Sequence, residues 1–345
     1  MTDLQERAER YRSLVQAEMR AVIGSSSDGL WAWMRYHLGW EDQQGAPAGA
    51  SPGKMMRPVG VLLATELLGG QVEHAVAPAA GIELVHNFSL LHDDVEDASE
   101  FRRGRENLWR FAGVAQAINT GDGMFVAARL AQYRMGEAGV PADRALAVMR
   151  EIDEACIRLV HGQYLDISFE TRSDVTLEEY LEMAGGKTAA MFAAPFAVGA
   201  ILAGAPPSAV DAMREYGRHV GLAFQMVDDI LGIWGDPAVT GKPVGDDLLS
   251  RKMTYPVISA LDAQDGAGES FRAAYAAPPG EGDRIDSMAR WIETTGARAS
   301  TEAMAREEQR HAMHAARSAA GVPGLDGAAL AMLEEYAEAA VGRVT

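Results

Sequence analysis

The chain has a single cysteine, Cys156, in 345 residues. One cysteine excludes an internal disulfide and a cysteine-built zinc site. Cys156 sits in EACIRLVHG, where the apolar helical pattern predicts a buried thiol rather than a nucleophile. Positive charge is also scarce: 31 Lys and Arg stand against 49 Asp and Glu, for a net charge of −18. No basic patch is evident, which argues against nonspecific nucleic-acid binding. No apolar run approaches the length needed to cross a membrane. The N-terminal MTDLQERAERYRSLV is charged and lacks a signal-type apolar stretch. Together these predict no membrane span and a cytoplasmic protein. Alternating strand patterns are missing, β-branched residues are comparatively sparse and alanine is abundant, which predicts an all-α fold.

What is present is helical periodicity. Leu4, Ala8, Tyr11, Val15, Met19 and Val22 recur at spacings of three or four and predict an amphipathic helix over 4–23. EDQQGAPAGASPG (41–53) reads as a linker. Lys54 and Arg57 are expected to open the next helix, with Pro58 in its first turn. Helical patterning dominates from 75 to 200, and Gly162, Gln163 and Asp166 lie on one long helix. TGKPVGDDLLSRK reads as a loop between helices, and the C-terminal third as alanine-rich helix. With no clear domain boundary, residues 1–345 read as a single domain.

The chemistry concentrates in two aspartate clusters. Asp93, Asp94 and Asp97 lie in LLHDDVED, and Asp228 and Asp229 lie in FQMVDDILGIWGD. On a helix, Asp93 and Asp97 project from one face, where like charges repel. A divalent cation between them removes the conflict, and few hard oxygen ligands suit Mg²⁺ bridging to a phosphate. An acidic protein can bind an anionic diphosphate in this way, because the ion inverts the local electrostatics. Arg102, Arg103 and Arg105 follow the first cluster, and Lys54 with Arg57 form a second basic pair. Lys187 and Thr188 in GGKT lack the spacing of a nucleotide P-loop, since position 182 is Glu. Lys242 and Lys252 flank a loop able to close over phosphates.

These motifs, in this order, resemble the trans-isoprenyl diphosphate synthases (polyprenyl synthetases), and most closely the geranylgeranyl diphosphate synthases. The motif-bearing core spans about residues 30–260. The resemblance implies mostly antiparallel helices around a deep cavity, usually in a homodimer. It implies condensation of isopentenyl diphosphate with an allylic diphosphate (dimethylallyl, geranyl or farnesyl). Asp93 and Asp97 would bind two Mg²⁺ ions and Asp228 a third, with Asp94 and Asp229 in support. Arg102, Lys187, Lys242 and Lys252 would contact the allylic diphosphate, and Lys54, Arg57 and Arg103 isopentenyl diphosphate. Thr188 and Gln225 would face the developing carbocation. Phe88 and Ser89, just before the first motif, would set product length, with a twenty-carbon product expected and farnesyl diphosphate next.

The chain departs from the pattern at several positions. Gly232 replaces the usual final aspartate of the second motif, with Asp236 a candidate substitute. Glu66 is read as standing where a histidine is common, and Glu106 and Asn107 follow the arginines. Two further readings stay open: a terpene cyclase or a prenyltransferase with another acceptor, and a non-catalytic subunit of a heteromeric synthase.

Overall fold

The computed structural model describes residues 2–49, 53–237, 244–277, 282–319 and 325–342. Most of them are helical. In chain order the helices are α1 (Asp3–Ile23), α2 (Gly29–His37), α3 (Met56–Leu67), α4 (Val72–Glu96), α5 (Leu108–Ala112), α6 (Val114–Tyr133) and α7 (Ala142–Phe169). Then come α8 (Leu177–Ala184), a π-helical turn (Gly185–Ala189), α9 (Ala190–Ala203), α10 (Pro207–Trp234) and a single turn α11 (Asp246–Leu249). The last are α12 (Tyr255–Asp262), α13 (Gly266–Ala276), α14 (Gly282–Thr294), α15 (Ala297–Ser318) and α16 (Gly327–Val341). Among the described residues the one sheet is a hairpin, β1 (Phe101–Arg102) paired with β2 (Arg105–Glu106).

Local chemistry sets several helix starts. Thr2 and Gln5 form a reciprocal capping box at α1, and Thr176 and Glu179 do so at α8. Each box satisfies backbone N–H groups that the first turn leaves without partners. α1 buries Leu4, Ala8, Tyr11, Val15, Met19 and Ile23. The expected stripe is thus present, except that its last member is Ile23 rather than Val22.

Two compact units divide the chain. The first comprises Met1–Glu154, Ala194–Arg214 and Ala319–Met332, and the second Ala155–Ala193, Glu215–Ser318 and Leu333–Thr345. In the first, Tyr11, Met34, Leu62, Leu63 and Ile82 are fully buried. In the second, Phe169, Tyr180, Met226, Ile258, Phe271 and Ile292 share one apolar core. Burying a side chain of this size contributes about 1.5–3 kcal/mol.

Two expectations need correction here. Leu177–Ala203 is a run long and apolar enough to cross a membrane by length and composition, but 78% of its apolar window is buried inside the protein. Lys54 lies in the coil before α3, and the helix is preceded by Met55 in the left-handed region (φ 47°). Lys54 and Arg57 therefore do not share a helix face. Cys156 is buried, as its surroundings predict.

Candidate active site

In the first unit, α4 carries the first aspartate cluster to its C-terminal end. Asp97 caps the helix, and its N–H donates to the carbonyl of Asp93 at 2.8 Å, which preserves the one-turn spacing of these two acids. Asp93 and Asp97 are half-buried, while Asp94 is buried. Arg102 donates to Oδ1 of Asp94 through Nε at 2.8 Å and Nη2 at 2.7 Å. Burial raises the Asp94 carboxyl above its usual range, and the Arg102 hydrogen bond and charge oppose that rise. Asn107 is buried and donates to the carbonyl of Ser99 at 2.7 Å, which fixes the loop leaving α4.

The hairpin aims its arginines differently. Arg103 (φ 52°) and Gly104 (φ 72°) form a two-residue turn with both residues left-handed. Arg105 lies over the Tyr36 ring at 4.0 Å and donates to the carbonyls of Tyr36 and Glu41 at 2.6 and 2.7 Å. It braces the hairpin on α2. The Arg57 guanidinium lies 3.3 Å from Nε2 of His86. Desolvation first, then Arg57, Arg103 and Arg102, hold His86 well below the usual histidine range. His37 is pushed down to about 3 by desolvation and by Arg102, Arg103 and Arg105. Glu83 is buried, which raises its carboxyl, while Arg57 and Arg103 pull it back. Three arginines and two uncharged histidines around one buried acid make a setting suited to a polyanion.

Ahead of the aspartates, Phe88 is buried against α6, with its ring centroid 4.8 Å from that of Phe125 and 5.7 Å from His92. The Ser89 hydroxyl donates to the His86 carbonyl at 2.8 Å.

In the second unit, α10 presents Asp228 to solvent and buries Asp229. Oδ2 of Asp229 accepts from the Tyr180 hydroxyl at 2.6 Å and the Tyr255 N–H at 2.9 Å. Oδ1 accepts from the Gln225 amide at 2.8 Å, and the Gln225 carbonyl accepts from the Thr188 hydroxyl. Burial pushes the Asp229 carboxyl up to about 7, against the pull of these three donors. A single relay of hydrogen bonds thus orients Thr188 and Gln225. Lys187, in the π turn, donates to Asp166 at 2.5 Å. The turn packs on α7 through Gly162, where an added Cβ would fall 2.1 Å from the Lys187 nitrogen. Lys252 donates its N–H to the Asp247 carbonyl at 2.9 Å. Lys242 lies outside the described residues.

Residues 47–292 match the polyprenyl synthetase family. The chain belongs to it. A farnesyl diphosphate synthase from Mycobacterium tuberculosis is 43% identical over 307 residues, covering 87% of this chain and 83% of the relative. A geranylgeranyl diphosphate synthase from the same organism is 41% identical over 270 residues, covering 78% and 76%. The crystal structure of a polyprenyl synthetase from Streptomyces coelicolor A3(2) is similar at a TM-score of 0.90 and 38% identity, covering 98% of this chain and 100% of that one. The all-α class expected from the sequence is therefore the isoprenoid synthase fold of this family.

Against that background, the departures of this polyprenyl synthetase take on structural reasons. Glu66 faces α1, where Arg7, Arg10 and Tyr11 all hydrogen-bond its carboxylate. It pairs with the basic face of α1. The basic cluster instead contains His86, 3.3 Å from Arg57. Its signal was available: His86 stands seven residues, about two turns, before Asp93 on α4, on the same face. Asp236 is not what faces Gly232. An added Cβ on Gly232 would lie 1.9 Å from Oδ2 of Asp247, so Asp247 occupies that space. Glu106 accepts from Gln43 at 3.1 Å and lies 3.7 Å from Arg110, at the hairpin edge. Asp166, Glu83 and Asp247 are the other residues that sequence reasoning left without a role.

Proposed function

We propose that this polyprenyl synthetase is a Mg²⁺-dependent geranylgeranyl diphosphate synthase, joining isopentenyl diphosphate to allylic diphosphates. The observation that carries the reading is the division of labour in each aspartate cluster. Asp94 and Asp229 are buried and held by Arg102 or by Tyr180, Tyr255 and Gln225, while Asp93, Asp97 and Asp228 reach less buried positions. The donor set fits the ion, since hard carboxylate oxygens in small number are what Mg²⁺ takes beside a substrate phosphate. Asp93, Asp97 and Asp228 would hold about three Mg²⁺ ions, which when bound stabilise negative charge on the leaving diphosphate.

The remaining roles belong to side chains. Arg102, Lys187, Lys242 and Lys252 orient the allylic diphosphate. Lys54, Arg57 and Arg103 hold isopentenyl diphosphate, with His86 beside Arg57. The allylic C–O bond breaks with its electron pair on the diphosphate. The isopentenyl double bond attacks the allylic carbon, and a proton leaves the adduct to the released diphosphate. Thr188 and Gln225 turn oxygen dipoles toward the cation, locked by Asp229. Apolar walls keep water from the cation. Phe88 blocks the growing tail and Ser89 leaves room beside it.

Farnesyl diphosphate is the second reading for the product. The Phe88–Phe125 contact favours it, because two rings packed at a tilt of 58° would close a shorter floor. We further read the protein as a cytoplasmic homodimer. Val126, Leu130 and Tyr133 on α6 are exposed at helical spacing, and so are Ile157, Val160, Tyr164 and Ile167 on α7. Such apolar stripes mark association surfaces.

The test is incubation with Mg²⁺, labelled isopentenyl diphosphate and each allylic primer in turn, followed by chromatography of the dephosphorylated products. A twenty-carbon alcohol, absent with EDTA and absent in Asp93→Ala, supports the proposal. A fifteen-carbon alcohol selects the second reading. No incorporation with any primer rejects both and returns the cyclase, alternative-acceptor and partner-subunit readings.

A further inference from the structure

We propose that His219, Glu308 and His311 form a second metal site, built for a zinc-type cation, that pins α10 to α15. All three residues belong to the second compact unit. One ligand atom from each lies within 4.8 Å of the others. Glu308 and His311 stand three apart on α15, so both side chains leave one face toward α10. A Glu-x-x-His pair on one helix, completed from a facing helix, is a recurrent metal-binding arrangement in helical bundles.

The contacts around the cluster suit a metal. Nδ1 of His219 lies 2.5 Å from Oε2 of Glu308, within hydrogen-bond distance. A cation would replace that hydrogen bond. The His219 and His311 rings are 5.1 Å apart at 59°, so their nitrogens are not stacked face to face. Zinc–nitrogen bonds of about 2.0–2.1 Å need neighbouring ligand atoms at roughly 3.4 Å, a rotamer-scale adjustment. His311 also has a carboxylate at a ring nitrogen: Glu307 lies 2.9 Å from its Nε2. A carboxylate placed this way orients a metal-binding histidine and raises its basicity.

Charge and access agree with this. Glu215, Glu307 and Glu308 surround the site, and Arg218 already pairs with Glu215 at 2.9 Å. Arg218 also lies 2.9 Å from Nε2 of His219. Because a guanidinium only donates, Nε2 is the acceptor here; on metal binding through Nδ1 the ring proton moves to Nε2 and Arg218 turns wholly to Glu215. The His219 and Glu308 side chains are 15% and 11% exposed, whereas His311 is 48% exposed and leaves an entry path. Two imidazoles and a carboxylate select zinc-type ions over Mg²⁺. The site is also remote from the aspartates on its own helix. His219 precedes Asp228 by nine residues, about 13.5 Å along α10 at 1.5 Å per residue.

The test uses the full-length protein, stripped with chelator and returned to buffer with saturating Mg²⁺. Co²⁺ is titrated while visible ligand-field absorption is followed, and Zn²⁺ is titrated by calorimetry and by thermal shift. The expected result is one equivalent of Co²⁺ with tetrahedral-type absorption, displaced by Zn²⁺, and a rise in unfolding temperature with Zn²⁺. His311→Ala, on the exposed side, should weaken Zn²⁺ at least about tenfold while the protein remains folded. Glu308→Gln should do the same and keep the side chain's shape. Binding unchanged in both variants but lost in Asp93→Ala or Asp228→Ala would overturn the proposal, by placing the ion at the aspartates. Absence of any Co²⁺ spectrum and of a Zn²⁺ thermal shift would also overturn it, leaving a hydrogen-bonded His–Glu pair.

Discussion

Gly232 and Asp247 occupy one space: a Cβ on the glycine would lie 1.9 Å from Oδ2 of the aspartate and 2.4 Å from its Cγ. Asp247 is 8% exposed, so its carboxylate has little room to retreat. The missing aspartate of the second motif is thus matched by a carboxylate from α11. Gly232→Ala should destabilise the protein by about 1–3 kcal/mol through overpacking. Gly232→Asp should cost more, since it adds a like charge beside Asp247. Asp247→Ala in the Gly232→Ala background should recover part of the loss. Urea unfolding midpoints of the three variants check this, and a neutral Gly232→Ala would contradict the packing.

The two aspartates of α10 should separate activity from stability. Asp228 is exposed, so Asp228→Ala should shift stability by no more than about 0.5 kcal/mol. Its turnover should fall by about 10²–10³ if the carboxylate stabilises leaving-group charge. Asp229 accepts three hydrogen bonds in the core. Asp229→Ala would leave those donors without an acceptor and should cost about 3 kcal/mol or more. Denaturation curves and initial rates on the same preparations distinguish the two patterns.

Arg102 and Asp94 form a half-buried pair whose loss should be felt on folding. Arg102→Ala leaves a carboxylate that is 3% exposed without its cation. Breaking such a pair from one side costs about 3 kcal/mol. Asp94→Asn with Arg102→Ala should be less damaging than Arg102→Ala alone, because no buried charge remains. A double-mutant cycle in guanidinium chloride measures the difference.

Acid should weaken the fold through His37. Its folded value of about 3 lies below the ordinary histidine value of 6.5, so the unfolded chain binds more protons between them. The contribution is present above about pH 6.5 and is lost as pH falls toward 3. By about pH 5 the loss attributable to this residue is about 2 kcal/mol. His37→Gln should remove that part of the slope, read as a smaller difference in unfolding midpoint between about pH 7.5 and pH 5. An unchanged slope would mean that His37 is charged in the folded protein.

Local spacing made much of this protein legible. The all-α class, the α1 stripe and the one-turn separation of Asp93 and Asp97 follow from helix periodicity, a property of neighbouring residues. The motif residues could also be named from the chain, because motifs are runs of sequence. Where each side chain of a pair ends up was not legible. Asp93 and Asp94 are adjacent, yet one is half-buried and the other is held by Arg102, eight residues away. Glu66 meets Arg7, Arg10 and Tyr11, which lie more than fifty residues earlier. Asp247 filling the space beside Gly232, Tyr180 meeting Asp229 and His219 meeting Glu308 are likewise long-range contacts. Sequence periodicity determines which face a residue occupies. Only the packing of distant helices decides what that face meets, because desolvation and hydrogen bonding act through space rather than along the chain.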